Sequence, residues 1–218
     1  MWPYSITDAV NGLLRLDGRM LWRVADPEGG MTVYLTFDDG PVPGATPWVL
    51  DTLASLGVKA TFFCIGKNIV AHPELFARVK DEGHGIGNHT WDHPSGWKTG
   101  ARTYYRSVLA CQRLTGTALF RPPYGRISNR QLAALRKRFT IVMWDVLAHD
   151  FDDRYTDDDR VSEMLRRIRT GSILVFHDSM KCNERMRRAM PAVVKALLAE
   201  GYRFDVLPGP TREPTSRR

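Results

Sequence analysis

Residues 33–65, VYLTFDDGPVPGATPWVLDTLASLGVKATFFCI, contain a strand, a helix and a second strand in one continuous stretch. Apolar, aromatic and β-branched residues fill Val33–Phe37 and Ala60–Ile65, while Pro47–Leu56 has the spacing of a helix that buries one face. Gly57 suits the left-handed end of that helix. A strand, a helix and a strand in this order predict two parallel strands joined by a crossover, as in α/β proteins.

The same alternation continues along the rest of the chain. The other predicted strands are short apolar runs: Gly85–Asn88, Leu119–Arg121, Ile141–Asp145, Ser172–Phe176 and Tyr202–Val206. The other predicted helices are amphipathic: Pro73–Asp81, Thr103–Leu114, Ser128–Lys137, Asp158–Arg169 and Met186–Glu200. Seven strands that alternate with helices predict either an open sheet covered on both faces or a closed barrel. In both folds, ligands bind at the carboxyl ends of the strands.

Composition and charge limit the class of protein. The chain has 218 residues, 43% hydrophobic and 25% charged, which fits one globular domain with a sizeable core. No apolar run reaches the length of about 18 residues that a transmembrane helix needs. The net charge of +7 could suit an anionic partner. However, the arginines are scattered over predicted helix faces and no nucleic-acid motif occurs, so nucleic-acid binding is not expected.

The two ends of the chain are predicted to lie outside the domain. Residues 1–30 are expected to form an N-terminal extension, and residues 208–218 a disordered, proline-rich tail. The first residues lack a basic segment followed by an uninterrupted apolar one, so no signal peptide is expected. The default location is therefore the cytoplasm, with the cell envelope as the alternative. Three widely spaced cysteines indicate neither a disulfide framework nor a zinc motif, and nothing indicates an oligomeric state.

Residues capable of chemistry end or follow five of the predicted strands. They are Asp38 and Asp39 in TFDDGP, His89 and His93 in NHTWDHP, Arg121 in FRPPYG, Asp145, and His177 in SILVFHDS. Taken singly, each segment has a structural explanation, such as a surface turn for the aspartates or a buried structural histidine. Because parallel strands share one carboxyl edge, we expect all five segments to converge on one rim.

A metal site is the first function that these residues indicate. His89 and His93 are four residues apart, which predicts that both imidazoles lie on one face of a helical turn. With one aspartate they form an Asp–His–His set, which leaves coordination positions for water and substrate. Zinc accepts such nitrogen and oxygen ligands. Two histidines and a carboxylate also describe non-haem iron oxygenases, but that alternative leaves the second aspartate without a role.

The two later segments indicate groups that would act beside the metal. Arg121 could orient a carboxylate, while a loop stiffened by Pro122 and Pro123 could present a backbone N–H to an oxyanion. A rigid structural loop is the alternative there. His177 follows an apolar strand directly and is a candidate general acid.

Taken together and in order, five motifs resemble those of the NodB-homology polysaccharide deacetylases, carbohydrate esterase family 4. The motifs are TFDDGP, NHTWDH, FRPPYG, MWDVLAHDF and ILVFHD, and the resemblance covers about residues 31–207. It implies a distorted (β/α)7 barrel as a single domain and a divalent metal, usually Zn²⁺. It also implies a carbohydrate substrate, with removal of N-acetyl groups from peptidoglycan- or chitin-type N-acetylglucosamine polymers or oligomers by hydrolysis of a linear amide.

The resemblance also implies a role for each residue of the site. Asp38 would be the general base, Asp39, His89 and His93 the metal ligands, and His177 the general acid. Arg121 would hold Asp38, and Tyr124 would donate its backbone N–H to the oxyanion. Leu174 would line the pocket for the acetyl methyl group, and Pro122, Pro123 and Trp144 are further candidates for substrate contact.

One motif departs from the family pattern. Many members have an aspartate two residues after Asp145 and a tryptophan at the end of the motif, where this chain has Leu147 and Phe151. A leucine cannot stabilise a charged histidine, so another carboxylate must support His177. Asp145 and Asp150 are available. Asp150 is preferred because it lies beyond the strand end, where a loop could fold it over the site.

Two other functions stay open at this point. One is a deacylase of a small, non-polymeric amide, which the missing export signal would suit. The other is a carbohydrate-binding protein with an attenuated site. The complete metal and base set disfavours a pure binder, because such a protein has no need of Asp38.

Overall fold

In the computed structural model of the protein, residues 20–25 and 29–209 are described. Most of the predicted N-terminal extension and most of the predicted tail therefore lie outside the described residues, and the domain boundaries at residues 31 and 207 stay predictions. Met20 and Trp22, which fall within the predicted extension, are buried against the domain.

Strands and helices alternate along the described part of the chain. The strands are β1 (Thr32–Asp38), β2 (Thr61–Cys64), β3 (Gly85–Asn88), β4 (Leu119–Phe120), β5 (Thr140–Ile141), β6 (Val146–Leu147), β7 (Ile173–His177) and β8 (Arg203–Phe204). The helices are α1 (Thr46–Leu56), α2 (Gly66–Ala71), α3 (Pro73–Asp81), α4 (Ala101–Thr115), α5 (Asn129–Leu135), α6 (Asp157–Arg167) and α7 (Asn183–Ala199). A 3₁₀ turn spans Pro123–Gly125.

Seven parallel strands form one curled sheet in the order β5-β4-β3-β2-β1-β7-β6, and β8 pairs with the start of β1. The central strand β1 pairs with β2 on one side and β7 on the other, which places Asp38 beside Phe63 and His177. The predicted distorted (β/α)7 barrel is confirmed. None of the described helices has the length and apolarity that a membrane span requires.

The prediction of one continuous strand at Ile141–Asp145 is wrong. β5 pairs with β4, whereas β6 pairs with β7 at the other edge of the sheet. Between them, the Met143 N–H donates to the carbonyl of Leu21 (2.7 Å). The same N-terminal segment also reaches the β7 side, where the Val24 N–H donates to the carbonyl of Gly171 (2.9 Å). The chain thus changes its pairing partners within a few residues, which one regular strand could not do.

Alternation along the strands separates two buried layers. Phe37 and Phe176 belong to the layer that packs against the helices. Phe63 and Ile173 belong to a smaller cluster on the opposite face of the sheet, towards the barrel interior. Because side chains two residues apart share a face, His177 lies on the same side as Ile173. The candidate site residue His177 therefore lies on the side of the barrel interior.

The predicted helices are all present, with shifts of a few residues at their ends. α5 begins after Ser128, because the Ser128 hydroxyl accepts the N–H of Gln131 and the Gln131 side chain accepts the N–H of Ser128. Thr156 and Asp159 form the same arrangement at the start of α6. The short helix α2 was not predicted, and no side chain caps its N-terminus.

Candidate active site

The carboxyl ends of four strands bring four of the five predicted segments to one rim. The fifth prediction is wrong, because Asp145 bonds to Ser172 at the start of β7 and not at its carboxyl end. Asp38 ends β1 and His177 ends β7, and the two are direct partners in the parallel register. His89 follows β3, and Arg121 follows β4, where the Arg121 N–H donates to the carbonyl of Asn88 (3.0 Å). Segments far apart in the sequence are therefore neighbours at the mouth of the barrel.

Three potential metal ligands converge beside Asp38. Asp39 Oδ1 lies 3.2 Å from Nε2 of His93 and 3.7 Å from Nε2 of His89. This carboxylate oxygen is buried and accepts no hydrogen bond from a described residue, and the three ligand atoms lie within 4.8 Å of one another. A buried oxygen without a donor, facing two imidazole nitrogens, fits a divalent cation. The three residues form a possible Asp–His–His metal site.

Both imidazoles present the nitrogen that a metal would need. His89 Nδ1 lies 2.8 Å from the carbonyl of Arg121, which can only accept, so Nδ1 carries the proton and Nε2 keeps its lone pair. His93 Nδ1 lies 3.1 Å from the hydroxyl of Tyr124, a contact that the sequence did not predict. Burial is the largest cause that lowers the pKa of each ring to about 4. Both rings are therefore neutral near pH 7.

The segment that carries the two histidines is not the predicted helical turn. Thr90 and His93 have positive φ angles of 69° and 59°. The Asn88 side chain accepts the N–H of Thr90 (2.9 Å), and the Thr90 hydroxyl accepts the N–H of His93 (3.0 Å). Side-chain acceptors thus replace the backbone bonds of a helix. The rings of His89 and His93 still come together, with centroids 4.9 Å apart.

Arg121 is fully buried and holds Asp38. Its Nη1 donates to Asp38 Oδ1 (2.7 Å) and to the hydroxyl of Thr36 (2.8 Å). Burial alone would raise the pKa of Asp38. The charges of Arg121 and His177, together with the Arg121 hydrogen bond, outweigh burial and hold that pKa below its ordinary value. Asp38 is therefore ionised at neutral pH.

Asp150 contacts His177 at two points. Asp150 Oδ1 lies 2.8 Å from His177 Nδ1, and Oδ2 accepts the backbone N–H of His177 (2.8 Å). Burial would lower the pKa of His177, but the charge and hydrogen bond of Asp150 outweigh it and raise the pKa to about 9. Asp145 has other partners, since it accepts the hydroxyl of Ser172 (2.8 Å) and pairs with Arg169 (3.6 Å).

Leu174 does not lie where the sequence analysis placed it. Its side chain is fully buried in the layer that packs against the helices. Because side chains alternate along β7, Leu174 faces away from the side that carries His177, and Val175 shares the His177 face. The predicted pocket role of Leu174 does not fit this placement, and Val175 is the residue in phase with the site.

The loop after β4 forms one wall of the site. Pro122 and Pro123 are buried, while the Tyr124 ring is 59% exposed and its backbone has a φ of 60°. Trp144 is half-buried beneath this loop, and a Cβ on Gly125 would lie only 2.8 Å from its ring. Gly125 therefore allows the loop to rest on Trp144. Of the four predicted substrate-contact residues, Pro122, Pro123 and Trp144 support the wall that presents Tyr124.

Asp178 is a site residue that the sequence analysis missed, although it follows His177 directly. Its buried carboxylate accepts the N–H of Gly40 (3.0 Å) and the hydroxyl of Thr46 (2.6 Å). A Cβ on Gly40 would overlap that carboxylate, so the turn requires glycine. Asp178 thereby fixes the turn that carries Asp39. The only sequence signal was a charged residue at the end of a buried strand.

Comparisons with known proteins agree with this fold. The family model described as polysaccharide deacetylase matches residues 25–140. A peptidoglycan-N-acetylglucosamine deacetylase of Listeria monocytogenes is 35% identical over 179 residues, which are 79% of this chain and 37% of that protein. The chain thus spans little more than a third of that relative's length.

Two other relatives match along nearly their whole length. A chitooligosaccharide deacetylase of Bradyrhizobium is 35% identical over 202 residues, which cover 84% of this chain and 92% of that protein. The crystal structure of the Bc1960 peptidoglycan N-acetylglucosamine deacetylase matches with a TM-score of 0.80 at 32% identity, covering 87% of this chain and 91% of that one. On these grounds the chain belongs to the polysaccharide deacetylases, carbohydrate esterase family 4, as its motifs predicted.

Proposed function

We propose that the protein is a metal-dependent hydrolase that removes N-acetyl groups from an N-acetylglucosamine polymer or oligomer. The observation that carries the proposal is that Asp38, held by Arg121, and His177, held by Asp150, end neighbouring strands next to three converging metal ligands. This arrangement supplies a base and an acid to one reacting group. The named activities of the relatives, on peptidoglycan and on chitooligosaccharides, support the substrate class.

Asp39, His89 and His93 would hold the metal ion. Two neutral imidazoles and one carboxylate suit Zn²⁺, since zinc accepts nitrogen and oxygen ligands in an open three-ligand site. When bound, the cation would lower the pKa of a water molecule and polarise the acetyl carbonyl. Such a cation would supply the partner that Asp39 Oδ1 lacks among the described residues.

The residues of this chain would move the protons. Asp38 takes a proton from the water molecule as the water oxygen attacks the acetyl carbon. Arg121 keeps the Asp38 carboxylate oriented and ionised. The backbone N–H of Tyr124 donates to the carbonyl oxygen as it gains negative charge. His177 gives its proton to the amine nitrogen as the C–N bond breaks. Acetate and a free amino sugar are the products.

Acetate release from N-acetylglucosamine oligomers is expected to require metal. Chelation should abolish acetate release, and added Zn²⁺ or Co²⁺ should restore it. The buried Asp39 Oδ1 has no hydrogen-bond donor among the described residues, so a cation shared with His89 and His93 would be its partner. Asp39→Asn should lower both the metal content and the rate. The exposed Asp81 provides the matched control, since Asp81→Asn should change neither.

The same assay separates the alternatives. Release from N-acetylglucosamine oligomers or peptidoglycan fragments, and not from acetyl-lysine peptides or simple amides, supports the proposal. The reverse pattern indicates a deacylase of small amides. Full activity of demonstrably metal-free protein rejects the metal assignment, and tight glycan binding without any acetate release indicates a carbohydrate-binding protein.

Asp150→Asn is expected to move the basic limb of the pH–rate profile to lower pH. His177 must be protonated to act as the acid, and its raised pKa of about 9 depends on the Asp150 carboxylate. Without that charge, burial lowers the pKa of His177, so the proton is lost earlier as pH rises. Asp145→Asn is the control and should leave the limb in place, because Asp145 pairs with Ser172 and Arg169. A shift in Asp145→Asn alone would transfer the role to Asp145.

A further inference from the structure

A second group of metal-ligating side chains lies beside the general acid. Asp150, His177 and Cys182 each offer one ligand atom, and these three atoms lie within 4.8 Å of one another. The three residues are here called the acid-side cluster, and it shares no residue with the Asp–His–His set. A carboxylate oxygen, an imidazole nitrogen and a cysteine sulfur are the three kinds of ligand that zinc takes in proteins.

The position of Cys182 is not explained by the helix that it precedes. Cys182 is the N-cap of α7, where Ser, Thr, Asp and Asn are preferred because their side chains accept N–H groups of the first turn. The Cys182 side chain makes no such bond. Its backbone N–H donates to the carbonyl of Ser179 (3.1 Å), so the loop after β7 turns back towards the strand end. This turn brings the thiol to His177 and Asp150.

The Cys182 thiol lies beside charged groups, although it is only 3% exposed. Burial is the largest cause that raises the pKa of this thiol to about 12, and the negative charge of Asp150 raises it further. A cysteine that only filled space would gain nothing from a neighbouring carboxylate. A cation would gain from both groups, because it displaces the thiol proton and then contacts two anionic ligands.

A cation in the acid-side cluster would prevent His177 from acting as the acid. His177 Nδ1 lies 2.8 Å from Asp150 Oδ1. To donate a proton as an imidazolium, the ring must carry a proton on each nitrogen. A cation on either nitrogen replaces one of these protons, and it also takes the carboxylate that supports the charged ring. Binding to the ring and to the thiol therefore releases two protons to solvent.

The acid-side cluster and the Asp–His–His set lie on either side of Asp38 in the strand order. Asp38 is the direct register partner of His177 on β7. On the other side, Nε2 of His89, which follows β3, lies 3.9 Å from Asp38 Oδ2. The His177 side chain is 18% exposed, so the cluster can be reached from the mouth of the barrel.

We propose that the acid-side cluster is a second, inhibitory cation site that selects a thiolate-binding metal such as Zn²⁺. This inference rests on the proposed function, because the cation acts by removing the general acid. Mg²⁺ and Ca²⁺ are disfavoured, since these hard cations take oxygen ligands. The cluster must release protons before it binds, whereas the neutral imidazoles of the Asp–His–His set already have free lone pairs. The first equivalent of Zn²⁺ therefore activates, and an excess inhibits.

A titration with Co²⁺ tests the cluster directly, because a thiolate bound to Co²⁺ gives an intense charge-transfer absorption that oxygen and nitrogen ligands do not. Chelator-treated wild-type protein should bind two equivalents of Co²⁺, and the thiolate absorption should appear only with the second. Cys182→Ala should lack this absorption and bind the second equivalent about 10²-fold more weakly or worse, since loss of an outer-shell partner alone costs about 10- to 100-fold.

Three further variants act as controls for the titration. Cys111→Ala removes another buried thiol, which lies on α4 outside the cluster, and should behave like wild type. Cys182→Ser suits the N-cap position and should still lose the thiolate absorption, so the loss does not depend on disturbed packing. Asp39→Asn should lose the first equivalent and keep the absorption.

Acetate release tests the inhibition. The wild-type rate should rise with the first equivalent of Zn²⁺ and fall by about 10²-fold when the cluster is saturated, the scale of losing general-acid catalysis. An excess of Mg²⁺ should not inhibit the zinc-activated protein. Cys182→Ala should show the same activation and keep its rate in excess Zn²⁺.

The absorption and the rate distinguish failure of the second site from failure of the proposed function. An absorption that Cys182→Ala removes supports the cation site even if no acetate is released, and only the proposed function fails then. No thiolate absorption in excess Co²⁺, or one that Cys182→Ala keeps, overturns the site. Equal inhibition of wild type and Cys182→Ala by Zn²⁺, or none of either, overturns the inhibitory role.

Discussion

Asp38→Asn is expected to lower kcat by at least about 10²-fold, the usual scale for losing general-base catalysis, while the metal content stays the same. Asp38 can act as the base because its carboxylate is ionised at neutral pH and can accept a proton, while the Arg121 hydrogen bond holds it in position. An asparagine has nearly the same shape and can still accept the Arg121 hydrogen bond, but it cannot take a proton from water.

The adjacent aspartate provides the matched comparison. Asp39→Asn should lose metal, because Asp39 Oδ1 faces both Nε2 atoms of the metal site. Metal content by mass spectrometry and acetate release by a coupled assay are measured on both variants. Circular dichroism confirms that each is folded, since Asp38→Asn leaves the buried Arg121 without its counter-charge. If Asp38→Asn loses metal and Asp39→Asn keeps it, the two roles are reversed.

The general architecture could be predicted from the sequence because alternation of strands and helices is a local pattern. Residues 33–65 contain a complete unit of that pattern, and parallel strands necessarily bring their carboxyl ends to one rim. The prediction failed at residues 141–145, where the backbone passes from one edge of the sheet to the other. That change depends on the Leu21 carbonyl, a partner more than a hundred residues away in the sequence.

In the candidate site too, features set by nearby residues could be predicted, whereas features set by residues far away in the sequence could not. The structure brings the predicted metal ligands, base and acid together, but Asp145 lies apart from them, bonded to Ser172 and Arg169 before β7. Asp150, chosen because a loop beyond a strand end can fold back, contacts His177. Which residue of the buried strand β7 faces the site was harder to predict. Leu174 and Val175 are both apolar, and only the alternation of side chains along β7 distinguishes them. Asp178 was missed because its partners, Gly40 and Thr46, lie on another segment.

Arg121→Met is expected to destabilise the folded protein by about 3–5 kcal/mol at neutral pH, the cost of leaving one member of a buried ion pair without its partner. Arg121 is fully buried, and it bonds to Asp38, to Thr36 and, through Nη2, to the carbonyl of Met143 (3.0 Å). Methionine fills a similar volume but satisfies none of these groups. Urea unfolding of chelator-treated protein measures the effect without a contribution from metal.

The pH dependence distinguishes a lost charge partner from lost packing. In the wild type the pKa of Asp38 is depressed, so its ionisation stabilises the folded state above the pKa of the unfolded chain, and this stabilisation is lost as pH falls through the folded pKa. In Arg121→Met, burial is no longer outweighed by the arginine, so the pKa of Asp38 rises and its ionisation destabilises the folded state. The difference in unfolding free energy between wild type and Arg121→Met should therefore be largest near pH 7. It should narrow as pH falls towards the ordinary aspartate pKa of 3.8.

The double variant Asp38→Asn/Arg121→Met separates the effect of charge from that of packing. It removes both charges, so no uncompensated carboxylate remains in the interior, and the protein should be more stable at pH 7 than Arg121→Met alone. If the difference in unfolding free energy between wild type and Arg121→Met stays constant with pH, or if the double variant is less stable than Arg121→Met, the guanidinium acts through packing. In that case Phe63, whose ring centre lies 4.1 Å from the Arg121 guanidinium carbon, is the contact that the methionine failed to replace.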